Sequence, residues 1–235
     1  KGGFGYSHRN QAYQMLEGRG LEVGALHCPA RIPSRCEIEY CDAHSKEESI
    51  KLFPEIEASL LVDVDYIVNL DEDRISEKVM PPYDFAVMNH VIEHVANPIM
   101  VVEQLFKVVR PGGLVIISAP DKDFTFDKPR QLTPFSHLLA EYLSGVSRVE
   151  DDHYLDFIRH TAPEIYNSET PGLLTAALKS VRDRREHAHV WDSESFLDFL
   201  SQTMRCLEIQ AEMKFVSKAN VNNIECFVVL EKRRD

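Results

Sequence analysis

The chain has 235 residues, 44% of them apolar and 27% charged, with a formal net charge of −12. That is the balance of a globular domain with its own core, which excludes a disordered or fibrous chain. The acidic surplus gives general nucleic-acid binding no footing, since that needs clustered Lys and Arg. No apolar run approaches the roughly 18–20 residues of a membrane helix, and no signal peptide is expected at Lys1. Five scattered cysteines without a CxxC pair argue against a structural zinc site or a disulfide framework, and fit a reducing cytoplasm.

Residues 1–19 form an N-terminal segment, glycine-rich at first and weakly helical over Gln11–Glu17. A strand over Gly20–Val23 closes at Gly24. Cys36–Cys41 alternates as a second strand ending at Asp42, Lys46–Phe53 reads as a helix, and Leu60–Leu70 contains a third strand. Asp84–Asn89 is an apolar fourth strand. Asn97 followed by Pro98 is an N-cap with proline at the first helical position. Val101, Val102, Leu105, Phe106 and Val109 then recur at three- and four-residue spacing, which predicts an amphipathic helix ended by Arg110-Pro111-Gly112-Gly113. Leu114–Ala119 is a buried strand. Strands alternating with helices in this way predict a parallel sheet.

After Pro120 the rhythm breaks. Residues 121–189 are polar and mostly helical, too long for an ordinary connection, and read as an insertion. A helix over Ser193–Thr203, capped by Asp192 or Ser193, restores the rhythm. Two strands near Leu207–Val216 and Ile224–Leu230, joined by a turn at Asn220–Asn223, form an antiparallel pair. The expected fold is therefore α/β: a Rossmann-like, seven-stranded, mostly parallel sheet with a final antiparallel strand, helices on both faces, and a helical cap. Its core spans residues 20–120 and 190–235.

Such sheets bind ligands at the carboxyl ends of their strands, where strand order reverses. Glu22 and Gly24 end the first strand. Asp42 follows Gly24 by 18 residues, close to the spacing at which an acid takes the ribose hydroxyls of a nucleotide cofactor; it could equally cap a turn. Asn89 and His90 end the fourth strand. The loop Gly24-Ala25-Leu26-His27-Cys28-Pro29 has a single glycine, and Leu26 and Cys28 would obstruct the pyrophosphate of a dinucleotide. That counts against NAD, but not against S-adenosylmethionine, which carries no phosphate.

Tyr83–Val95 and Lys107–Leu114 resemble the fourth strand and the segment before the fifth strand of class I S-adenosylmethionine-dependent methyltransferases. A bacterial type 11-like subgroup is closer still. It carries E-[IV]-G-A-L-H-x-P, a segment like Pro120–Arg130, and His187-Ala188-His189-Val190-Trp191 before the last helix. The resemblance implies S-adenosyl-L-methionine as cofactor. Glu22, Gly24 and Ala25 would border its methionine part, Asp42 its ribose, and Asn69 or Asp71 its adenine, with Asn89 and His90 beneath the reactive methyl. The subgroup often accompanies surface-polysaccharide genes, which hints at a small-molecule or glycan acceptor.

A hydroxyl acceptor benefits from a base, and histidine suits that task near neutral pH. His90 and His94 are the catalytic candidates; the alternative for His94 is a hydrogen bond that ties down the loop before the next helix. Arg130, His137, His187 and His189 are candidates to contact the acceptor. His187 and His189 alternate as in an extended segment, with both rings on one side, and could instead be a surface pair or a cap on Trp191. The aromatics of the insertion (Phe124, Phe126, Phe135, Tyr142, Tyr154, Phe157) suit stacking on an acceptor or a plain helical core, and Arg182–Arg185 suits a solvated face. His90 and His94, four apart, would need a third ligand to hold a metal, and none is evident, so no metal is expected. The reading is a methyltransferase, monomeric or homodimeric, probing hydroxyl acceptors. The alternative is a catalytically silent module that binds S-adenosylmethionine and recruits or regulates a partner enzyme.

Overall fold

The computed structural model describes residues 7–234; the glycine-rich start of the N-terminal segment lies outside them. Helix α1 (Ser7–Tyr13) precedes β1 (Gly18–Val23) and β2 (Cys36–Asp42), followed by α2 (Lys46–Leu52), β3 (Tyr66–Ile67), α3 (Ile75–Lys78) and β4 (Tyr83–Asn89). Then come α4 (Pro98–Val108), β5 (Val109–Pro120), and four helices of the insertion: α5 (Phe135–Ser144), α6 (Asp151–Thr161), α7 (Pro163–Tyr166) and α8 (Leu173–Asp183). Helix α9 (Ser193–Cys206), β6 (Ala211–Ser217), α10 (Ala219–Asn222) and β7 (Glu225–Lys232) complete the chain.

The seven strands form one sheet in the order β3-β2-β1-β4-β5-β7-β6. β1 to β5 pair in parallel, and β7 runs antiparallel to both β5 and β6. The order reverses between β1 and β4, so a crevice opens at their carboxyl ends. Alternate residues of β4 serve opposite faces, as a pleated strand requires. Ala86 and Met88 pack beneath α3, α4 and α9, while Phe85 and Val87 meet Ala12, Tyr13 and Leu16 at the N-terminal helix. No helix among the described residues is long and apolar enough to cross a membrane.

Local chemistry sets the element ends. The Asn97 side chain accepts from the Met100 amide at 3.0 Å and starts α4. Asp192 accepts from the Ser195 amide at 2.7 Å and starts α9. The third strand within Leu60–Leu70 is the two-residue β3, with Val68 and Leu70 buried beyond it. One expectation is corrected: Pro111-Gly112-Gly113 does not end a helix. It lies within β5, after α4 has stopped at Val108, and Arg110 pairs with Asp84 at 2.6 Å.

The insertion leaves and rejoins the core at one place. Asp121 and Trp191 form a parallel bridge, and the Lys122 amide donates to the Trp191 carbonyl at 2.8 Å. On the way back, the amides of Ala188 and His189 both donate to the Glu93 carbonyl, at 2.8 and 3.0 Å. The insertion is thereby fastened to the turn that follows β4.

Candidate active site

Two cavities meet at the crevice, and both are bordered by Gly24, Leu26 and His90. The first, of about 280 Å³, is lined by Asp42 from the end of β2, by Val68 and Leu70, and by Val91, His94 and Val95 after β4. The second, of about 670 Å³, is lined by Glu22, Ala25, Tyr40, Asn89 and, from the N-terminal helix, Arg9 and Tyr13. Gly24 has φ +69°, and a Cβ built there would stand 2.4 Å from Val91 Cγ2. Only glycine holds this turn without strain.

Asp42 has the partners of a carboxylate left open on one side. Among side chains and main chain, it accepts the His44 amide at 3.4 Å. Burial pushes its carboxyl above the ordinary range, against the pull of the His44 and Ala43 amides. An apolar wall, a carboxylate with spare acceptor capacity and a glycine that admits close backbone approach together fit a nucleoside without a phosphate. Leu26 (φ +47°) borders the cavities rather than filling them.

Glu22 is buried, and both its oxygens accept the Ala30 amide, at 2.9 and 3.0 Å. It braces the loop between β1 and β2. Burial raises its carboxyl to about 7, with the Ala30 amide working in the opposite direction.

Asn69 and Asp71 are not free to meet an adenine. Arg185 donates to Asn69 Oδ1 at 2.9 Å and to Asp71 Oδ2 at 3.4 Å, and Asp71 Oδ1 accepts the Ala96 amide at 2.7 Å. Both residues line a separate cavity with Arg148, Tyr154 and Arg182. Val68 and Leu70, their apolar neighbours in sequence, face the Asp42 side instead.

His90 is the most constrained residue of the crevice. It sits at φ +54°, a conformation that costs a side-chain-bearing residue on the order of 1–3 kcal/mol and that clusters at functional sites. Its Nε2 lies 2.9 Å from Glu225 Oε2 at the start of β7. Glu225 is fully buried and also engages His8 at 2.6 Å and Arg9 at 2.6 Å on each oxygen. Burial opposes its ionisation, but the hydrogen bonds from His8, His90 and Arg9 prevail and hold the carboxyl well below the usual range. An ionised carboxylate only accepts, so His90 Nε2 carries a proton toward it, and in the neutral ring Nδ1 is then the acceptor nitrogen. Asn89 stands beside it, held by the Ser118 hydroxyl at 3.1 Å and donating to the Tyr13 hydroxyl at 3.0 Å. Glu225 is absent from the sequence-derived candidates. Its only signal is an acid placed directly before the apolar run Cys226–Leu230.

His94 does not share a face with His90. The segment folds as a short 3₁₀ turn (Ile92–His94), and His94 Nδ1 lies 2.5 Å from the Arg185 carbonyl. Its Nε2 stands 3.7 Å from Glu93 Oε1, and His187 Nε2 stands 3.9 Å from the same atom. Glu93 is 1% exposed with neither oxygen hydrogen-bonded. His187 Nδ1 is fixed by Asp127 at 2.5 Å. Glu93, His94 and His187 bring three donors together, and His90 is not among them. Their donor set, with outer partners on both imidazoles, is one a divalent cation would accept.

The other acceptor candidates are placed differently from expectation. Arg130 is 1% exposed, and its guanidinium donates to Asp127 at 2.9 Å, Asp156 at 2.8 Å and the carbonyls of His187 and Ala188. Every arm is used inside the chain, so it positions the insertion rather than meeting an acceptor. His187 and His189 do not share a side: His187 turns to Asp127 and Glu93, His189 to Glu141 and His153. His189 has no exposed side-chain surface, while His137 is half-exposed.

A sequence profile described as a methyltransferase domain matches residues 38–203. The ubiquinone biosynthesis O-methyltransferase of Rickettsia akari (strain Hartford) is 26% identical over 155 residues, 66% of this chain and 51% of that protein. The mitochondrial ubiquinone biosynthesis O-methyltransferase of Dictyostelium discoideum is 35% identical over 85 residues, 36% of this chain and 24% of that protein. The chain spans about half the length of the first of these curated relatives. Among solved structures, the plantazolicin methyltransferase BpumL, in complex with a pentazolic desmethylPZN analog and SAH, superposes with a TM-score of 0.52. It is 12% identical, with 98% of this chain and 85% of that one covered. A protein described as a putative Zn-dependent alcohol dehydrogenase from Rhodobacter sphaeroides gives 0.57 at 12% identity, with 97% and 90% covered. At such identities the two structures speak for the fold.

Proposed function

We propose, for a chain that belongs to the methyltransferase-domain family, that it transfers a methyl group from S-adenosyl-L-methionine to a hydroxyl of a small-molecule acceptor, with His90 as the base. Residues 20–120 and 190–235 form the cofactor-binding core and residues 121–189 the cap over the acceptor. The observation that carries the reading is the His90–Glu225 pair at the junction of the two cavities.

When bound, the cofactor supplies an electrophilic methyl on a sulfonium that departs readily. Gly24 and Asp42 would hold it, the first by close backbone approach and the second through the ribose hydroxyls. The chain's own contribution is positioning and the handling of one proton. As the acceptor oxygen takes the methyl, its proton passes to His90 Nδ1, and the ring becomes an imidazolium beside the Glu225 carboxylate. Glu225 stays ionised throughout and stabilises that charge. Asn89, fixed by Ser118 and Tyr13, lines the floor next to it. General-base catalysis of this kind contributes about 10²–10⁴-fold.

The names of the curated relatives support a hydroxyl as the methylated group. The acceptor classes to compare are aromatic hydroxyls and sugar or sugar-linked hydroxyls, the second being the class that the E-[IV]-G-A-L-H-x-P resemblance suggests. Incubation with S-adenosylmethionine and representatives of each, followed by mass spectrometry and S-adenosylhomocysteine release, tests the reading. A product heavier by one methyl supports it. Tight cofactor binding with no turnover on any hydroxyl would instead support a silent binding module.

A further inference from the structure

Four donor side chains converge inside the insertion, apart from the two cavities of the crevice. His137 and Glu141 lie one turn apart on α5, His153 lies on α6, and His189 lies on the returning segment. One donor atom from each falls within 4.8 Å of all the others. His137 Nε2 and His153 Nε2 are each 3.0 Å from Glu141 Oε1 and 3.3 Å from one another. His189 Nε2 is 3.7 Å from Glu141 Oε2.

Hydrogen bonding does not account for this cluster. His189 is 1% exposed, and apart from a loose contact with the Val95 backbone neither of its ring nitrogens makes a well-formed hydrogen bond; the second oxygen of Glu141 makes none either. Buried polar atoms in folded chains are nearly always paired. Two imidazole nitrogens that face each other at 3.3 Å while sharing one carboxylate oxygen also make a poor hydrogen-bond arrangement. A cation at their centre would take one donor atom from each of the four side chains, among them His189 Nε2 and a Glu141 oxygen.

We propose that His137, Glu141, His153 and His189 bind one first-row divalent transition ion, with Zn²⁺ as the best match, and that this ion staples α5 and α6 to the segment that returns to the core. Three imidazoles and one carboxylate suit such an ion, whereas Mg²⁺ and Ca²⁺ favour oxygen throughout. Ligands at 2.0–2.1 Å in a tetrahedron stand about 3.3 Å apart, close to the spacings found here. His153 Nδ1 lies 3.1 Å from the Ala188 carbonyl, the outer partner that fixes a ligating imidazole. Four protein ligands leave no open position, so the site is structural. It is separate from the Glu93–His94–His187 set, with which it shares no residue.

The test uses the whole chain, stripped with chelator and titrated with Zn²⁺ and, separately, Co²⁺. Bound metal is counted after desalting, and thermal unfolding is followed in parallel. The His94→Ala background isolates this site from the Glu93 set. In it we expect one equivalent of Zn²⁺, a rise in Tm on loading, and the visible absorption of tetrahedral Co²⁺. His153→Ala and Glu141→Gln should each abolish the equivalent or weaken binding by more than about 100-fold, beyond the 10–100-fold that outer partners are worth. His160→Ala, on the same helix, should retain it. His137→Gln, at a half-exposed position that folding tolerates, serves if His153→Ala does not fold. The proposal is overturned if the folded, stripped protein takes up no Zn²⁺, or if His137→Gln and Glu141→Gln bind as much as the parent with unchanged affinity.

Discussion

The sheet and the insertion are held together by different physics. In the sheet, buried aliphatic and aromatic side chains from β1, β4, β5 and β7 pack against α4 and α9 with few charges among them. Across the 69 residues of the insertion, only Leu138, Tyr154, Ile158 and Ala188 are buried apolar residues, and α7 and α8 bury none of theirs. Buried Asp127, Arg130, His187 and His189 take their place. Apolar burial is non-directional and tolerates substitution of similar volume. A charged network depends on each partner, and removing one strands the others. The segment 121–189 should therefore respond sharply to single polar substitutions and to metal, while the apolar positions of the sheet should not.

The sharpest way to separate the two regions is through rate and fold. His90→Ala should lower turnover by about 10²–10⁴-fold with cofactor affinity retained, measured as S-adenosylhomocysteine release beside calorimetric binding. Unchanged turnover would remove His90 from the chemistry. Arg130→Met should destabilise by about 3–5 kcal/mol in urea unfolding, because Asp127 and Asp156 lose their shared cation. A cost under about 1 kcal/mol would mean that the cap is held by something other than its charges.

Glu22 provides a contrasting titration in the core. Its folded value of about 7 lies above the ordinary 4.5. An acid raised in this way contributes stability that is complete below about pH 4.5 and is lost as pH rises through about 7, on the order of 3 kcal/mol in all. Glu22→Gln should flatten that part of the stability profile, and an unchanged slope would assign it to other groups. The smallest effect expected is on Asp42→Ala, which should weaken S-adenosylmethionine binding by about 1–3 kcal/mol. Equal affinity in parent and variant would detach Asp42 from the cofactor.

What could be read from the sequence follows the same division. Local rules sufficed for β4, α4 and α9, whose apolar periods and caps at Asn97 and Asp192 are written in adjacent residues. They also place Gly24, Asp42 and His90 at strand ends, where the structure finds them, because strand ends and spacing are local quantities. The stretch Leu60–Leu70 holds β3 but only as two residues, because apolar content specifies burial and not the length of a hydrogen-bonded ladder. The glycines after Arg110 looked like a helix stop because glycine marks a turn without saying which element contains it. Glu225 is missed, and Arg185 is read as part of a solvated face rather than as the partner of Asn69 and Asp71, for a different reason. Each gains its meaning from partners far away in sequence, 135 residues in the case of Glu225 and His90, and no window along the chain contains both. Arg130 and His189 were misjudged as acceptor contacts because residue type signals polarity, while enclosure is decided only by tertiary packing.

The bridge between Asp121 and Trp191 has a consequence for how this architecture can diversify. An excursion whose two ends are pinned side by side imposes a closure penalty that grows only with the logarithm of its length. Replacing the excursion with a longer, shorter or unrelated one need not disturb the strand ladder from which it departs. Descendants of such a scaffold can exchange this segment as a cassette, provided that the incoming piece again supplies two amides for the Glu93 carbonyl.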